Sequence, residues 1–311
     1  MPHSFGSLAR AVINPFGFAP DLDPAVLERK YATPPSRFVT AGGMRFHIRE
    51  RGAGPTIVLI HGQSAHLFLW EAAAELLARD HHVVSLDLPA HGLTGPDPQR
   101  RYSFAGLANS VHALVEALGL DRFALAGNSL GGAVSTQYAL THPEKLEALI
   151  LLDGIGAPRS TEIPPAAFAA FLTPGIGDLA TIFTPKWAVR AGLADTYGDV
   201  RKLSDAEVDR TYDLLRRRGN RVAQRQTMRK AMEIFDAARI ATIATPTLLL
   251  WGDRDTWVTV KYGEWFRRLI PGAEMQIFPG VGHQPMAEAP AETADAMRAF
   301  LARQRTLSPL P

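Results

Sequence analysis

Few sequence features restrict a fold as tightly as Ala126-Gly127-Asn128-Ser129-Leu130-Gly131-Gly132, a glycine-flanked serine set between two apolar runs. Arg122 to Ala126 reads as a short buried strand and Gly132 to Leu140 as a helix, so Ser129 falls on a sharp strand-to-helix turn. Strand and helix can pass closely beneath it only if Gly127 and Gly131 lack a Cβ. Ser129 then projects at the helix N-terminus, where the N–H of Leu130 has no intrahelical partner and lies at the positive end of the helix dipole. That placement suits a nucleophile with a developing oxyanion beside it. Given ordinary glycine usage, the bare pattern G-x-S-x-G arises by chance in roughly a tenth of chains this long, so its surroundings must carry the reading.

Partners follow at two later strand ends. Thr247 to Trp251 is an apolar strand leading into Gly252-Asp253-Arg254-Asp255, and Met275 to Phe278 leads into Pro279-Gly280-Val281-Gly282-His283. His283 is assigned as the base that takes the proton of Ser129, and Asp255 as the acid that holds its tautomer. Asp253, two residues away, and Asp153, at the end of the strand Ala148 to Leu152, stay open as alternative acids. Thr56 to Ile60 runs into His61-Gly62-Gln63, making the backbone N–H of Gln63 the second candidate oxyanion donor beside Leu130. His61 is read as a brace for that loop, and His91 as loop structure.

Strands that alternate with helices imply an α/β fold, a mostly parallel twisted sheet covered on both faces. Arg37 to Glu50 is expected to open it as a hairpin turning at Gly42-Gly43. His82 to Leu86 reads as a strand, and Ser103 to Leu118 as a helix with Leu107, Val111, Leu114 and Leu118 at helical spacing. At 311 residues and 46% hydrophobic, the chain can bury one large domain with an insertion. The expected organisation is an N-terminal extension (1–30), a core domain (31–156 and 242–305), a helical cap (157–241) inserted before the acid-bearing strand, and a tail (306–311) frayed after Arg303. In the cap, Ser204-Asp205-Ala206-Glu207 reads as a capping box opening a helix with Val208, Tyr212 and Leu215 on one face, and Asn220 to Asp236 as a further helix. Phe168, Phe171, Phe183 and Trp187 from the cap, with Asn128 and Trp257 from the core, are the candidate substrate contacts.

Several classes are disfavoured. Lys and Arg total 33 against 31 Asp and Glu, so a formal charge of +2 gives no electrostatic case for nucleic acid. The one basic block, Arg216-Arg217-Arg218, is read as a solvated helix end. Without cysteine the chain has no disulfide, thiol nucleophile or thiolate metal site. Gly175-Ile176-Gly177-Asp178-Leu179-Ala180 matches a dinucleotide pattern but follows Thr173-Pro174 and not a strand. Adjacent His81 and His82 point to opposite faces of a strand. Neither a metal nor a nucleotide cofactor is expected. The N-terminus shows no basic start followed by a sustained apolar run, and no stretch has the apolar length of a membrane span, which points to the cytoplasm. Leu8, Val12 and Phe16 form a short amphipathic piece, read as ordinary packing on the domain.

These motifs resemble those of the α/β-hydrolase superfamily over nearly the whole chain, from about Tyr31 to Leu301. Tyr31-Ala32-Thr33-Pro34-Pro35-Ser36-Arg37-Phe38, Asp87-Leu88-Pro89-Ala90-His91-Gly92-Leu93-Thr94-Gly95-Pro96 and the segment from Tyr197 through Asn220 are similar to family V bacterial lipases and esterases. Gly127-Asn128-Ser129 also resembles hydrolases that cleave carbon–carbon bonds in ring-fission products, but those usually follow the histidine with tryptophan, where this chain has Gln284. The resemblance implies an acyl-enzyme at Ser129 and a small-molecule ester substrate. The alternatives are a carbon–carbon hydrolase, a lactonase, an acyltransferase or a non-catalytic ligand receptor.

Overall fold

The computed structural model describes residues 19–158 and 172–307. Among these, eight strands form one sheet: β1 (Ser36–Ala41), β2 (Met44–Arg51), β3 (Thr56–Ile60), β4 (His82–Leu86), β5 (Phe123–Asn128), β6 (Leu146–Leu152), β7 (Thr247–Gly252) and β8 (Glu274–Phe278), in the spatial order β1-β2-β4-β3-β5-β6-β7-β8. The helices in chain order are α1 (Pro24–Tyr31), α2 (Glu71–Leu77), α3 (Phe104–Ala117) and α4 (Leu130–Thr141). Between β6 and β7 come α5 (Ile176–Ala180), α6 (Lys186–Ala194), α7 (Asp205–Leu215), α8 (Asn220–Lys230) and α9 (Ala237–Ile240). After β7 come α10 (Val260–Leu269), α11 (Pro285–Glu288) and α12 (Pro290–Leu307).

The hairpin forms as the glycines require. Gly42 and Gly43 adopt φ of 55° and 79°, the left-handed pair of a two-residue turn whose twist matches its strands. β2 is antiparallel to β4 as well, and every neighbouring pair from β4 to β8 is parallel. The parallel strands are apolar on both faces because both are covered. Val58, Ile60, Leu125, Leu149 and Leu249 join α3, α4 and α10 in one core, while Ile57, Leu59, Ala124, Ile150 and Leu250 join α2 and α12 in the other. The chain leaves β3 for β4 on one side and later leaves β5 for β6 on the opposite side. The loops after β3 and β5 therefore diverge, opening a crevice at the carboxyl ends of the strands, where α/β sheets bind ligands.

Local readings fail where distant contacts intervene. Asn220 to Asp236 is not one helix: α8 ends at Lys230, and Asp236 caps α9 by accepting from Ala238 N at 2.9 Å. Half of the expected capping box forms, with Ser204 Oγ accepting from Glu207 N at 3.1 Å. The Glu207 carboxylate turns instead to His66 Nε2, at 3.0 Å, and to Thr211. The buried face of α7 is Val208, Thr211 and Leu214, with Tyr212 and Leu215 half-buried beside it. The Arg216 to Arg218 block does end α7, with Arg218 exposed, but it is not merely solvated. Leu22 N donates to Arg216 O at 2.7 Å, Arg218 N donates to Leu22 O at 3.0 Å, and the Arg217 guanidinium lies over Gly95. The block thus pins the segment before α1, whose Leu27 is buried against Leu67, Phe68 and Leu93. At the C-terminus the chain does not fray after Arg303; α12 continues to Leu307, with Ala294, Met297, Phe300 and Leu301 buried. Among the described residues no helix is long and apolar enough to cross a membrane. Leu8, Val12 and Phe16 lie outside the described residues.

Candidate active site

Ser129 sits where β5 turns into α4, at φ 54° and ψ −114°, a strained conformation for a residue with a side chain. The sequence forces this turn by what it omits. A Cβ on Gly127 would lie 2.1 Å from Gly131 O, and one on Gly131 would lie 2.5 Å from Ile60 O. Ser129 N donates to Leu152 O at 2.9 Å, and its carbonyl accepts from Ala133 N and Ile155 N, each at 3.2 Å, so the backbone is clamped on both sides. Among the described residues neither Leu130 N nor Gln63 N donates a hydrogen bond. Neighbouring strands hold these two donors together, with Ile60 registered against Gly127.

His283 follows β8. Its Nδ1–H donates to Asp255 Oδ2 at 2.6 Å, and Asp255 Oδ1 accepts from Trp257 N and Val258 N at 2.7 and 2.9 Å. A carboxylate that only accepts fixes the tautomer and leaves Nε2 as the basic nitrogen. Trp257 stacks near the imidazole, with centroids 6.2 Å apart at 22°. Of the alternative acids, Asp253 is exposed and accepts from Gly280 N at 2.6 Å, bracing the loop. Asp153 is buried and accepts from Gly252 N at 3.0 Å.

Backbone contacts position the histidine loop, and most come from far along the chain. His283 N donates to Thr196 O at 2.7 Å, and Gln284 Nε2 donates to Thr196 Oγ1 at 2.9 Å. Glu288 accepts at 2.9 Å from each of Gly198 N, Asp199 N and Gly282 N, tying the insertion to this loop. Nothing in the sequence marks Glu288 or Thr196 for this role. Asn128, expected at the substrate, spends its Nδ2 on Leu152 O and His283 O at 3.2 and 2.9 Å, although it also borders the cavity. Gln63 reaches the other way: its Nε2 donates to Gln224 O at 3.1 Å and its Oε1 accepts from Thr227 Oγ1 at 2.8 Å, both on α8.

His61 and His91 sit fully buried behind the Gln63 loop, their rings edge to face at 5.2 Å. Burial pushes their pKa values down to about 4 and about 3, so both are neutral. His61 donates from Nδ1 to Gly62 O at 2.7 Å and accepts Leu88 N at Nε2, as a brace does.

Ser129 and His283 open onto one cavity of about 430 Å³, between the strand ends and the insertion. Ile155, Met228, Ile234 and Val258 give it an apolar wall. Phe183 and Trp257 border it. Trp187 does not; it is 73% exposed on α6, whose Ala188 and Val189 face the cavity instead. Phe168 and Phe171 lie outside the described residues. The sequence Gly175 to Ala180 begins the five-residue α5 after a proline turn, away from any strand end.

A family model described as the alpha/beta hydrolase fold matches residues 55–290. An uncharacterized protein of Mycobacterium tuberculosis is 29% identical over 88% of this chain and 83% of its own. A 2-hydroxy-6-oxo-6-(2'-aminophenyl)hexa-2,4-dienoic acid hydrolase of Metapseudomonas resinovorans is 28% identical over 88% of this chain and 92% of its own. Among solved structures, a membrane phospholipase A described as a bacterial virulence factor superposes with a TM-score of 0.75 at 28% identity, covering 96% of each chain.

Proposed function

Because this chain belongs to the alpha/beta hydrolase fold family, we propose that it is a serine carboxylic ester hydrolase acting through an acyl-enzyme at Ser129. In this reading His283 Nε2 takes the Ser129 hydroxyl proton as Oγ attacks the ester carbonyl. The oxyanion of the tetrahedral intermediate accepts from Leu130 N and Gln63 N, two donors worth a few kcal/mol each in a site that excludes water. Collapse expels the alcohol, which leaves with the proton held by His283. Water, deprotonated by the same imidazole, then attacks the acyl carbon, and the second collapse releases the acid and restores Ser129. Asp255 stabilises the imidazolium in both halves. The segment from α5 to α9 acts as a cap that shields the acyl group.

One observation carries the choice of substrate: among the described residues no Lys or Arg lines the cavity, while Glu233 does. A neutral ester enters such a space without an uncompensated charge, whereas a dienoic acid brings a carboxylate with no cation to meet it. The likeness to a phospholipase supports the ester reading. The likeness to a dienoic acid hydrolase keeps carbon–carbon cleavage as the second reading. Hydrolysis of p-nitrophenyl esters from acetyl to dodecanoyl, with Ser129→Ala alongside, tests both. Turnover that peaks at one chain length and disappears in the variant is expected. Silence across the panel in folded protein, with cleavage of a ring-fission acid, transfers the assignment to the second reading.

A further inference from the structure

Asp153 is a buried titratable group that the reaction scheme leaves unused. It follows β6 with φ 46°, a strained left-handed conformation for a residue with a side chain, and its side chain is fully buried. Oδ1 accepts from Gly252 N, but Oδ2 is buried and meets no donor among the described residues. Its neighbour is another acid. Side-chain polar atoms of Asp153, Asp255 and His283 all lie within 4.8 Å of one another. Two carboxylates this close in a dry site do not both ionise, so one proton is shared between them. The donors decide where it stays. Asp255 receives three, from Trp257 N, Val258 N and His283 Nδ1, and Asp153 receives one. Burial first, then the charge of Asp255 and more weakly of Glu288, raises the Asp153 carboxyl well above its ordinary range, against the pull of Gly252 N–H.

We propose that Asp153 is a positioning residue: a neutral carboxylic acid whose Oδ2–H donates to the Asp255 carboxylate, and which replaces Asp255 as the partner of His283 when Asp255 is neutralised. The inference rests on the ester hydrolase reading. The donated hydrogen bond makes Asp255 a weaker base, which keeps the proton on His283 Nδ1 while the imidazolium forms. If Asp255 becomes an amide, the opposing charge is gone. Asp153 then releases its proton to solvent, and its carboxylate, already within 4.8 Å of the imidazole, accepts from Nδ1.

The test is kcat/KM against pH on the best p-nitrophenyl ester for Asp153→Asn, Asp153→Ala, Asp255→Asn and the double variant Asp153→Asn/Asp255→Asn, each checked for folding by circular dichroism. Neutralising a triad acid with no substitute costs on the order of ten-thousandfold. Asp255→Asn is expected to lose only about a hundredfold, with activity rising with pH as Asp153 ionises, and the double variant to reach the full ten-thousandfold loss without that rise. Asp153→Asn, whose amide N–H can still donate to Asp255, is expected to outperform Asp153→Ala. Equal activity of Asp255→Asn and the double variant, or an Asp153→Asn no better than Asp153→Ala, overturns the proposal. Turnover that survives Ser129→Ala overturns the parent reading instead, whatever these ratios are.

Discussion

Among the described residues two buried histidine–aspartate pairs are hydrogen-bonded, His283–Asp255 at 2.6 Å and His47–Asp87 at 2.7 Å; the first shares a cavity wall with Ser129 and the second touches Ser36. His47 even has its serine in hydrogen-bond contact, with Nε2 3.0 Å from Ser36 Oγ. What differs is everything around the relay. Ser36 lies within β1, cross-paired with Arg49, whose guanidinium also donates to Ser36 Oγ at 3.3 Å. Asp87 accepts from Leu67 N, Leu93 N and His47; burial by itself would raise its carboxyl, but the hydrogen bonds and charge around it, led by the His47 hydrogen bond, hold it well below the usual range. Ser129 instead occupies a strained turn at a helix N-terminus, beside two backbone N–H groups that meet no acceptor among the described residues, and on the wall of a cavity. A hydrogen-bonded serine, histidine and aspartate therefore serves here as a structural fastener. Space, strain and unspent donors turn such a set into a site.

The contrast breaks most directly in activity. Ser129→Ala is expected to lower ester turnover on the order of a millionfold, and Ser36→Ala by less than about twofold; comparable losses would erase the distinction between the two serines. In stability the order reverses. Asp87→Ala strands three buried donors and should cost about 3 to 5 kcal/mol in urea unfolding, far more than Ser129→Ala, which leaves the fold intact.

The two regions also respond oppositely to pH. His61 and His91 stay neutral in the fold down to about 4 and about 3, whereas the unfolded chain binds protons from about 6.5, so their contribution is lost as pH falls through that window. Asp87, with its carboxyl held low, loses its contribution in the same direction. Asp153 holds a proton that the unfolded chain releases above 3.8, so its contribution fades as pH rises. Thermal melts of the wild type and Asp153→Asn from pH 5 to 9 should diverge, with the variant gaining as pH rises; parallel curves would place Asp153 in the ionised state. The smallest expected effects lie at the cavity rim. Phe183→Ala should move the preferred acyl length with about a threefold change in kcat/KM, while Trp187→Ala, outside the cavity, should change it by less than about twofold.

The β3, β4, β5 and β7 runs were legible because a buried parallel strand is a short apolar run bounded by turn residues, and Gly127 and Gly131 announce a close passage whatever surrounds them. The candidate residues Ser129, Asp255 and His283 stand out in the sequence because each stands at a strand end. Asp87 and His47 were not, since 40 residues separate them in the chain and no local pattern marks their meeting. The same holds for Glu288, which bonds residues of the insertion about 90 positions away. Glu207 shows the limit from the other side: a local capping box was available, and a buried histidine on another element outcompeted it. Trp187 fails for a related reason, because its neighbours Ala188 and Val189 take the inward face of α6.

The insertion leaves from β6 and returns into β7, and those strands are hydrogen-bonded neighbours, with Leu149 registered against Thr247. β6 runs on to Leu152, three residues past that register, so the two ends of the insertion lie on adjacent strands roughly 11 Å apart, and the sheet supplies much of the closure of this long loop. For protein engineering that makes the segment an exchangeable part. Another helical insertion could be grafted between the same strands to reshape the cavity without re-cutting the Ser129 turn. The graft would succeed only if it carried a replacement for Gln224 and Thr227, because the side chain of Gln63 is anchored on them.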